Sequence, residues 1–328
     1  MNSNGQNVLI TSAGRRVSLV RLFQSALTKF ENNGRVLIAD NRPTYSAAAQ
    51  VSDLAISLPK VTEPKYISAL LEACQENSVS LVIPTIDTEL IPLAVVRTHW
   101  MQEYGINIVI SDEILVRQCR NKRETADVFS NIGIRPLTEI GFSSTIYPRM
   151  VKPVSGSRSV DLHVVRAVGE MKDEYADMNI FIHQELVNVH EYREFTVDAF
   201  FGLRGELLCL VPRERIEVRD GEVSKGRTYK GQLLEMLRPK IGLLRGAVGC
   251  LTIQVFARIT ENHEIEDLIG IEINPRFGGG YPLTEAAGAT YTDWLVQEHF
   301  NQTTRDYFDS WTDNLLMLRY DSEVFLNA

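Results

Sequence analysis

Glu272 and Asn274 stand two residues apart in the apolar run IGIEIN, which ends at Pro275. Side chains alternate across a strand, so the two share one surface and set a carboxylate beside an amide oxygen. Such a pair is a hard-oxygen site suited to Mg²⁺. Arg276 follows directly, and Gly278, Gly279 and Gly280 offer bare backbone for close approach to a ligand. Metal site, cation and bare backbone together suggest a polyphosphate. Gln254, in LTIQVFA, is an amide within an apolar strand, a placement that costs free energy unless the amide is paired. Beside Glu272 it would complete the metal site; otherwise it is a hydrogen-bonded core glutamine.

Further candidates lie upstream. Lys152 in VKPVSGSRSV ends a strand before a small-residue turn. Its ammonium and the backbone N–H groups around Ser155, Gly156 and Ser157 can hold phosphate oxygens. The lysine precedes the glycine and GxxxxGK[ST] is absent, so this is not a Walker A loop. Lys122, in RNKRET, sits at a helix start, where exposed N–H groups favour anions. FIHQELV runs into Gln184 and Glu185, and Glu185 can accept from an adenine amine; Glu194, in REFTVDAF, can accept from ribose hydroxyls. Arg213 and Arg215 in VPRERIEV, with Lys225 and Arg227 in SKGRT, form either a solvated strand face or a clamp for an anionic substrate.

The elements that must carry these residues fall into two patterns. Up to about residue 111, apolar strands (NVLIT, RVLIAD, DLAISLP, LVIPT, INIVIS) alternate with amphipathic helices, which predicts a parallel sheet covered on both faces. Ligands of such sheets gather at the carboxyl ends of the strands, where Ser12, Gly14, Arg15, Asp40, Asp87 and Glu89 are expected. TSAGRR has one glycine where a dinucleotide fingerprint needs three, so a nicotinamide or flavin site is rejected. DEILVRQCRNKRETADVFSNIG reads as one or two helices. Strands and hairpins then dominate, with a helix over GQLLEMLRPKIGLLRGAV that Pro239 kinks or divides. This second part reads as α+β.

The bulk numbers narrow the class. A chain of 328 residues implies two or three domains, and 44% hydrophobic with 23% charged residues is ordinary for a globular protein. A net charge of −8 argues against sequence-independent nucleic-acid binding. Cys74, Cys119, Cys209 and Cys250 are scattered, as reduced thiols are. No signal peptide or bilayer-spanning run is visible, so the chain reads as a soluble cytoplasmic protein. A homodimer is expected from base rates.

In order, Lys122, Lys152-Pro-x-x-Gly-Ser-x-Ser, Gln184-Glu185, Glu194, Gln254 and Glu272-x-Asn274-Pro-Arg276 resemble the ATP-grasp superfamily. The likeness is strongest to the ATP-binding half-domains of the large subunit of carbamoyl-phosphate synthetase and covers about residues 5–300. VLITSAGRR and IPTIDTEL look like the αβ domain that precedes the ATP-grasp fold there. The implied architecture is a Rossmann-like parallel-sheet preATP-grasp domain (1–112), a small ATP-grasp subdomain (113–182) and a large one with a C-terminal tail (183–328). The implied cofactors are ATP and Mg²⁺. Lys122 and Lys152 would bind phosphates under a loop holding Gly156 and Ser157. Glu185 and the backbone near Val187 would read adenine, and Glu194 would bind ribose. Gln254, Glu272 and Asn274 would hold Mg²⁺, and Arg276, with Lys152, would stabilise the phosphoryl group in flight. Many relatives carry an acid at the Gln254 position and a small residue at Arg158, and Glu191 competes with Glu194 for the ribose role.

The implied reaction is ligation of a small carboxylate, such as an amino acid, to an amine through an acyl phosphate, releasing ADP and phosphate. Two alternatives stay open: simple phosphoryl transfer on the same scaffold, and a nucleotide-binding regulatory protein without turnover. Substrate contacts are expected from Arg15, Asp87, Glu89, Arg213, Arg215 and Arg227.

Overall fold

Strand β1 (Asn7–Thr11) is buried along its whole length, as a strand with helices on both faces must be. The computed structural model describes residues 6–156, 162–219 and 221–326. The N-terminal part continues with α1 (Val17–Lys29), β2 (Val36–Asp40), α2 (Ala47–Gln50), β3 (Leu54–Ser57), α3 (Tyr66–Glu76), β4 (Val79–Ile83), α4 (Asp87–Tyr104) and β5 (Asn107–Ile108). All five strands are parallel, in the order β3-β2-β1-β4-β5. Alternate residues of β1 serve opposite cores: Val8 and Ile10 pack with α1, and Leu9 packs with α3 and α4. The connections reverse direction between β1 and β4, and a cleft opens beyond the carboxyl ends of these two strands. Strand β5 is shorter than INIVIS predicts. Residues 111 and 112 turn instead to the 246–248 loop, where Asp112 N–H donates to Gly246 O and Val248 N–H donates to Ser111 Oγ.

Two helices follow, α5 (Glu113–Arg120) and α6 (Lys122–Asn131), separated because Asn121 leaves the helical conformation and caps the second. After β6 (Arg135–Pro136), an antiparallel sheet of order β8-β7-β9 forms from β7 (Arg149–Pro153), β8 (His163–Val165) and β9 (Phe181–Glu185). The remaining elements are β10 (Arg193–Phe201), β11 (Leu207–Arg219), β12 (Glu222–Thr228), α7 (Gln232–Ile241), β13 (Gly249–Ile259), β14 (Ile265–Asn274), α8 (Tyr281–Ala286), α9 (Tyr291–Phe300) and β15 (Leu316–Leu318). Pro239 neither splits α7 nor interrupts its middle; it lies two residues from the end, and the chain beyond Ile241 is not helical as the sequence suggests. No helix among the described residues is long and apolar enough to cross a membrane.

The seven-stranded sheet, ordered β15-β12-β11-β10-β13-β14-β6, separates core from cleft by alternation. Phe195, Val197, Leu251, Ile253 and Val255 pack under α6 and α7. The intervening residues Glu194, Thr196, Gln254 and Glu272 look the other way, with Thr196, Gln254 and Glu272 in one cross-strand row. Between Val255–Gly270 and Gln254–Glu272 the register slips by one residue, leaving Ile271 as a bulge. Gly270, on the core side of that bulge, lets α6 come close, since a Cβ there would run into the Phe129 ring.

Candidate functional site

Helix α6 begins at Lys122, and β7 carries Lys152 one residue before its end. The two elements are stitched together: Lys122 N–H donates to Val154 O, Asn121 bridges to Ser155, and Lys122 Nζ reaches Gly156 O at 3.4 Å. The two lysine charges come within electrostatic reach of each other and of Glu272. Lys152 is only 8% exposed, and its ammonium has no hydrogen bond or ion pair among the described residues. Burial, with the Lys122 charge adding to it, pushes its pKa down to about 8, against a weaker pull from Glu272. Lys122 is lowered as well, chiefly by burial.

Glu272 and Asn274 form the opposite wall. Asn274 Nδ2 donates to Glu272 Oε1 at 2.8 Å, which leaves the Asn274 carbonyl oxygen turned away from that bond. Gln254 lies beside Glu272 across the strands. Among the described residues no group of three or more His, Cys, Asp or Glu side chains is placed to share a metal. One carboxylate and two amides still fit a hard cation, provided the cation brings further oxygens with it.

Arg276 closes the cleft toward the N-terminal sheet. Its Nε and Nη2 donate to Asp87 Oδ1 and Oδ2 at 2.7 and 2.9 Å. Burial alone would lower the Arg276 pKa, but the Asp87 carboxylate outweighs it and the net shift is upward. Asp87 is the first residue of α4, so the pair joins the two halves of the chain. Cys119, Asp87, Lys122, Gly156, Glu272 and Asn274 line a single pocket. Cys119 is no nucleophile there, because burial drives its pKa far up.

Other expectations meet different partners. Glu185 accepts from Arg135 Nη1 at 2.6 Å and from Thr138 N–H at 2.8 Å, so its carboxylate is engaged within the protein. Val187 follows the end of β9 and is half-buried. Glu194 pairs with Arg215 at 2.9 Å, and its pKa is raised by burial and, against the pull of Arg215, by Glu272. Ser157 lies outside the described residues.

Four further expected positions are engaged within the protein. Glu89 is fully buried and accepts from Thr85 and Ile86 N–H, Ser12 Oγ and Tyr66 Oη, which shapes the loop before α4. Arg213, 1% exposed, is held by both Asp198 oxygens at 2.9 Å, while Thr284 Oγ1 also donates to Asp198, so it ties α8 to the sheet. Arg227 pairs with Glu214, which shares a face with the core residue Phe195, away from Glu272. The three glycines make room for side chains: a Cβ at Gly278, Gly279 or Gly280 would meet Thr252, Glu222 or Arg213. Arg15 is largely exposed and pairs with Glu222 at 3.2 Å. The neighbour that sequence reasoning missed is Arg16, which donates to Phe277 O at 2.9 Å and Thr85 O at 3.3 Å. Burial pushes it down to about 10, with Arg276 adding repulsion. The only signal was the doubled arginine after Gly14, whose left-handed φ of +55° turns the chain.

A family model described as "PylC-like, N-terminal domain" matches residues 8–109. No curated protein sequence matches the chain. Several solved structures superpose over most of it. The biotin carboxylase domain of the 2-oxoglutarate carboxylase of Hydrogenobacter thermophilus, solved with MgADP, ADP and bicarbonate, does so with a TM-score of 0.73. Its identity is 14%, over 96% of this chain and 74% of that one. An N5-carboxyaminoimidazole ribonucleotide synthetase bound to ADP gives a TM-score of 0.68 at 16% identity, over 93% and 79%. An L-amino acid ligase from Bacillus licheniformis gives 0.65 at 13%, over 91% and 75%. At such identities the likeness is one of fold.

Proposed function

Because the chain has the ATP-grasp fold, preceded by its parallel-sheet domain, we propose that it is an ATP-dependent carboxylate–amine ligase. One observation carries the reading: the nearly buried Lys152 ammonium has no acceptor among the described residues and lies within electrostatic reach of Lys122 and Glu272, which line the pocket with Asn274. A buried unpaired charge is costly, and a polyphosphate would supply what it lacks. Lys122 and Lys152 would hold the nucleotide's phosphates. Glu272, Asn274 and Gln254 would hold Mg²⁺, which when bound neutralises phosphate charge. With one carboxylate in that set, the cation is expected to arrive with the nucleotide.

In the reaction, a substrate carboxylate oxygen forms a bond to the γ-phosphorus as the β–γ bridging bond breaks, releasing ADP. An amine then attacks the acyl carbon of the acyl phosphate, inorganic phosphate leaves, and the amine loses a proton. Arg276, held by Asp87 through Nε and Nη2 and by Phe277 O through Nη1, would stabilise charge on the transferring group. The chain contributes position and electrostatics rather than a covalent group.

ADP release from Mg²⁺-ATP, measured against amino acids and small carboxylates with hydroxylamine present, tests this. Carboxylate-dependent ADP with a trapped hydroxamate supports the ligase. ADP with a stable phosphorylated product and no hydroxamate would replace it with phosphotransfer. ATP binding without ADP across the whole panel would point to the regulatory alternative.

A further inference from the structure

Away from the nucleotide cleft, the end of α1 and the flank of α9 border a second, solvent-open cavity of about 330 Å³. That volume is within the range of small-molecule sites. Its apolar wall comes from Trp294 and Phe308, in edge contact at 5.3 Å, and from Phe30. Asp293 is already committed, accepting from Lys29 Nζ at 2.5 Å. Arg305 is not. Its guanidinium stacks on the Trp294 ring at 3.9 Å, and no hydrogen bond or ion pair to it is present among the described residues. Burial disfavours the charge, and Asp293 and Cys209 offset this only in part.

A guanidinium stacked by its face keeps its in-plane N–H groups for an acceptor, and the acceptor that fits this fork is a carboxylate. The aromatic walls beside it suit a flat apolar body. We propose that this cavity is a binding site for a small aryl carboxylate, with the carboxylate on Arg305 and the ring against Trp294 and Phe308. Lys29 neutralises Asp293 at the rim, so Arg305 leaves the lining with a net positive charge, which disfavours an organic cation of the same size. The site is separate from the nucleotide cleft and does not depend on the ligase reading.

Isothermal titration of the full chain with phenylacetate, benzoate and indole-3-acetate tests the proposal, with benzylamine as the cationic control. At least one of the three acids should bind saturably and benzylamine should not. Arg305→Ala should weaken that binding roughly tenfold or more, since a charged hydrogen-bonded pair is lost. Lys152→Met, which alters the cleft without breaking the Arg276–Asp87 tie, should leave it unchanged, which distinguishes this cavity from the cleft. Arg305→Lys, which keeps the charge and loses the fork, should give an intermediate affinity and serves if the alanine variant does not fold. Failure of all three acids to bind would overturn the proposal. So would equal affinity in both Arg305 variants, or loss of binding in Lys152→Met.

Discussion

Replacing Lys152 by methionine should make the protein more stable and abolish its nucleotide binding. Methionine nearly matches lysine in length and removes the charge. A lysine displaced from 10.5 to about 8 in the folded state carries an unfavourable burial of about 3 kcal/mol while protonated. The sign follows from proton counts. Below pH 8 the ammonium is charged in both folded and unfolded chains, so the full penalty applies. Between pH 8 and 10.5 the unfolded chain holds a proton that the folded chain has released, so wild-type stability rises with pH. The advantage of Lys152→Met should thus be constant near pH 7, at roughly 5 °C in melting temperature, and should vanish as pH approaches 10.5. Thermal melts of both proteins across pH 7–10.5, with and without Mg²⁺-ATP, provide the assay. ATP should raise the wild-type melt and leave the variant unmoved. If the variant melts at or below wild type at pH 7, or the gap ignores pH, Lys152 is not a buried unpaired cation and the phosphate argument loses its support.

Glu272→Ala should lower ADP release by at least about a hundredfold with unchanged circular dichroism; loss of the folded spectrum would mark Glu272 as structural. Arg276→Lys gives up the two-point contact with Asp87, and turnover should fall roughly a hundredfold with a smaller change in ATP affinity, read from initial rates. Gly270→Ala forces a methyl group against Phe129 and should cost about 1–3 kcal/mol in denaturant melts. It should also weaken ATP binding, because α6 carries Lys122, and Phe129→Ala should restore part of both.

What could be read beforehand followed the strand period. The spacing of Glu272 and Asn274, and Gln254 in the next strand, needed only alternation to place them on one face. The parallel sheet was equally legible, because β1 and β4 are mostly apolar and read as strands buried on both faces. Pairings between distant strands were not. Nothing in VPRERIEV says that Asp198 sits within reach of Arg213, or that Glu214 and Arg227 face the core side, since those facts depend on register. The surroundings of Glu89 were hidden for a related reason: an acid in the first turn of a helix serves equally to cap its own backbone or to meet a ligand, and the backbone bonds appear only in the fold. Arg15 and Arg16 both follow the turn at Gly14 and reach different partners, Glu222 for the first and the Phe277 and Thr85 carbonyls for the second, which composition does not reveal.

Ile271 has a consequence of a different kind. In an unbroken strand each side chain's identity is bound twice, once by the neighbour it pairs with and once by the layer it enters. The bulge releases Ile271 from the first obligation, while the residues flanking it keep theirs, Gly270 under α6 and Glu272 over the cleft. Ile271 nonetheless borders the pocket. It is therefore a point at which the cleft's shape can drift from one descendant to the next without disturbing the helix below or the acid beside it.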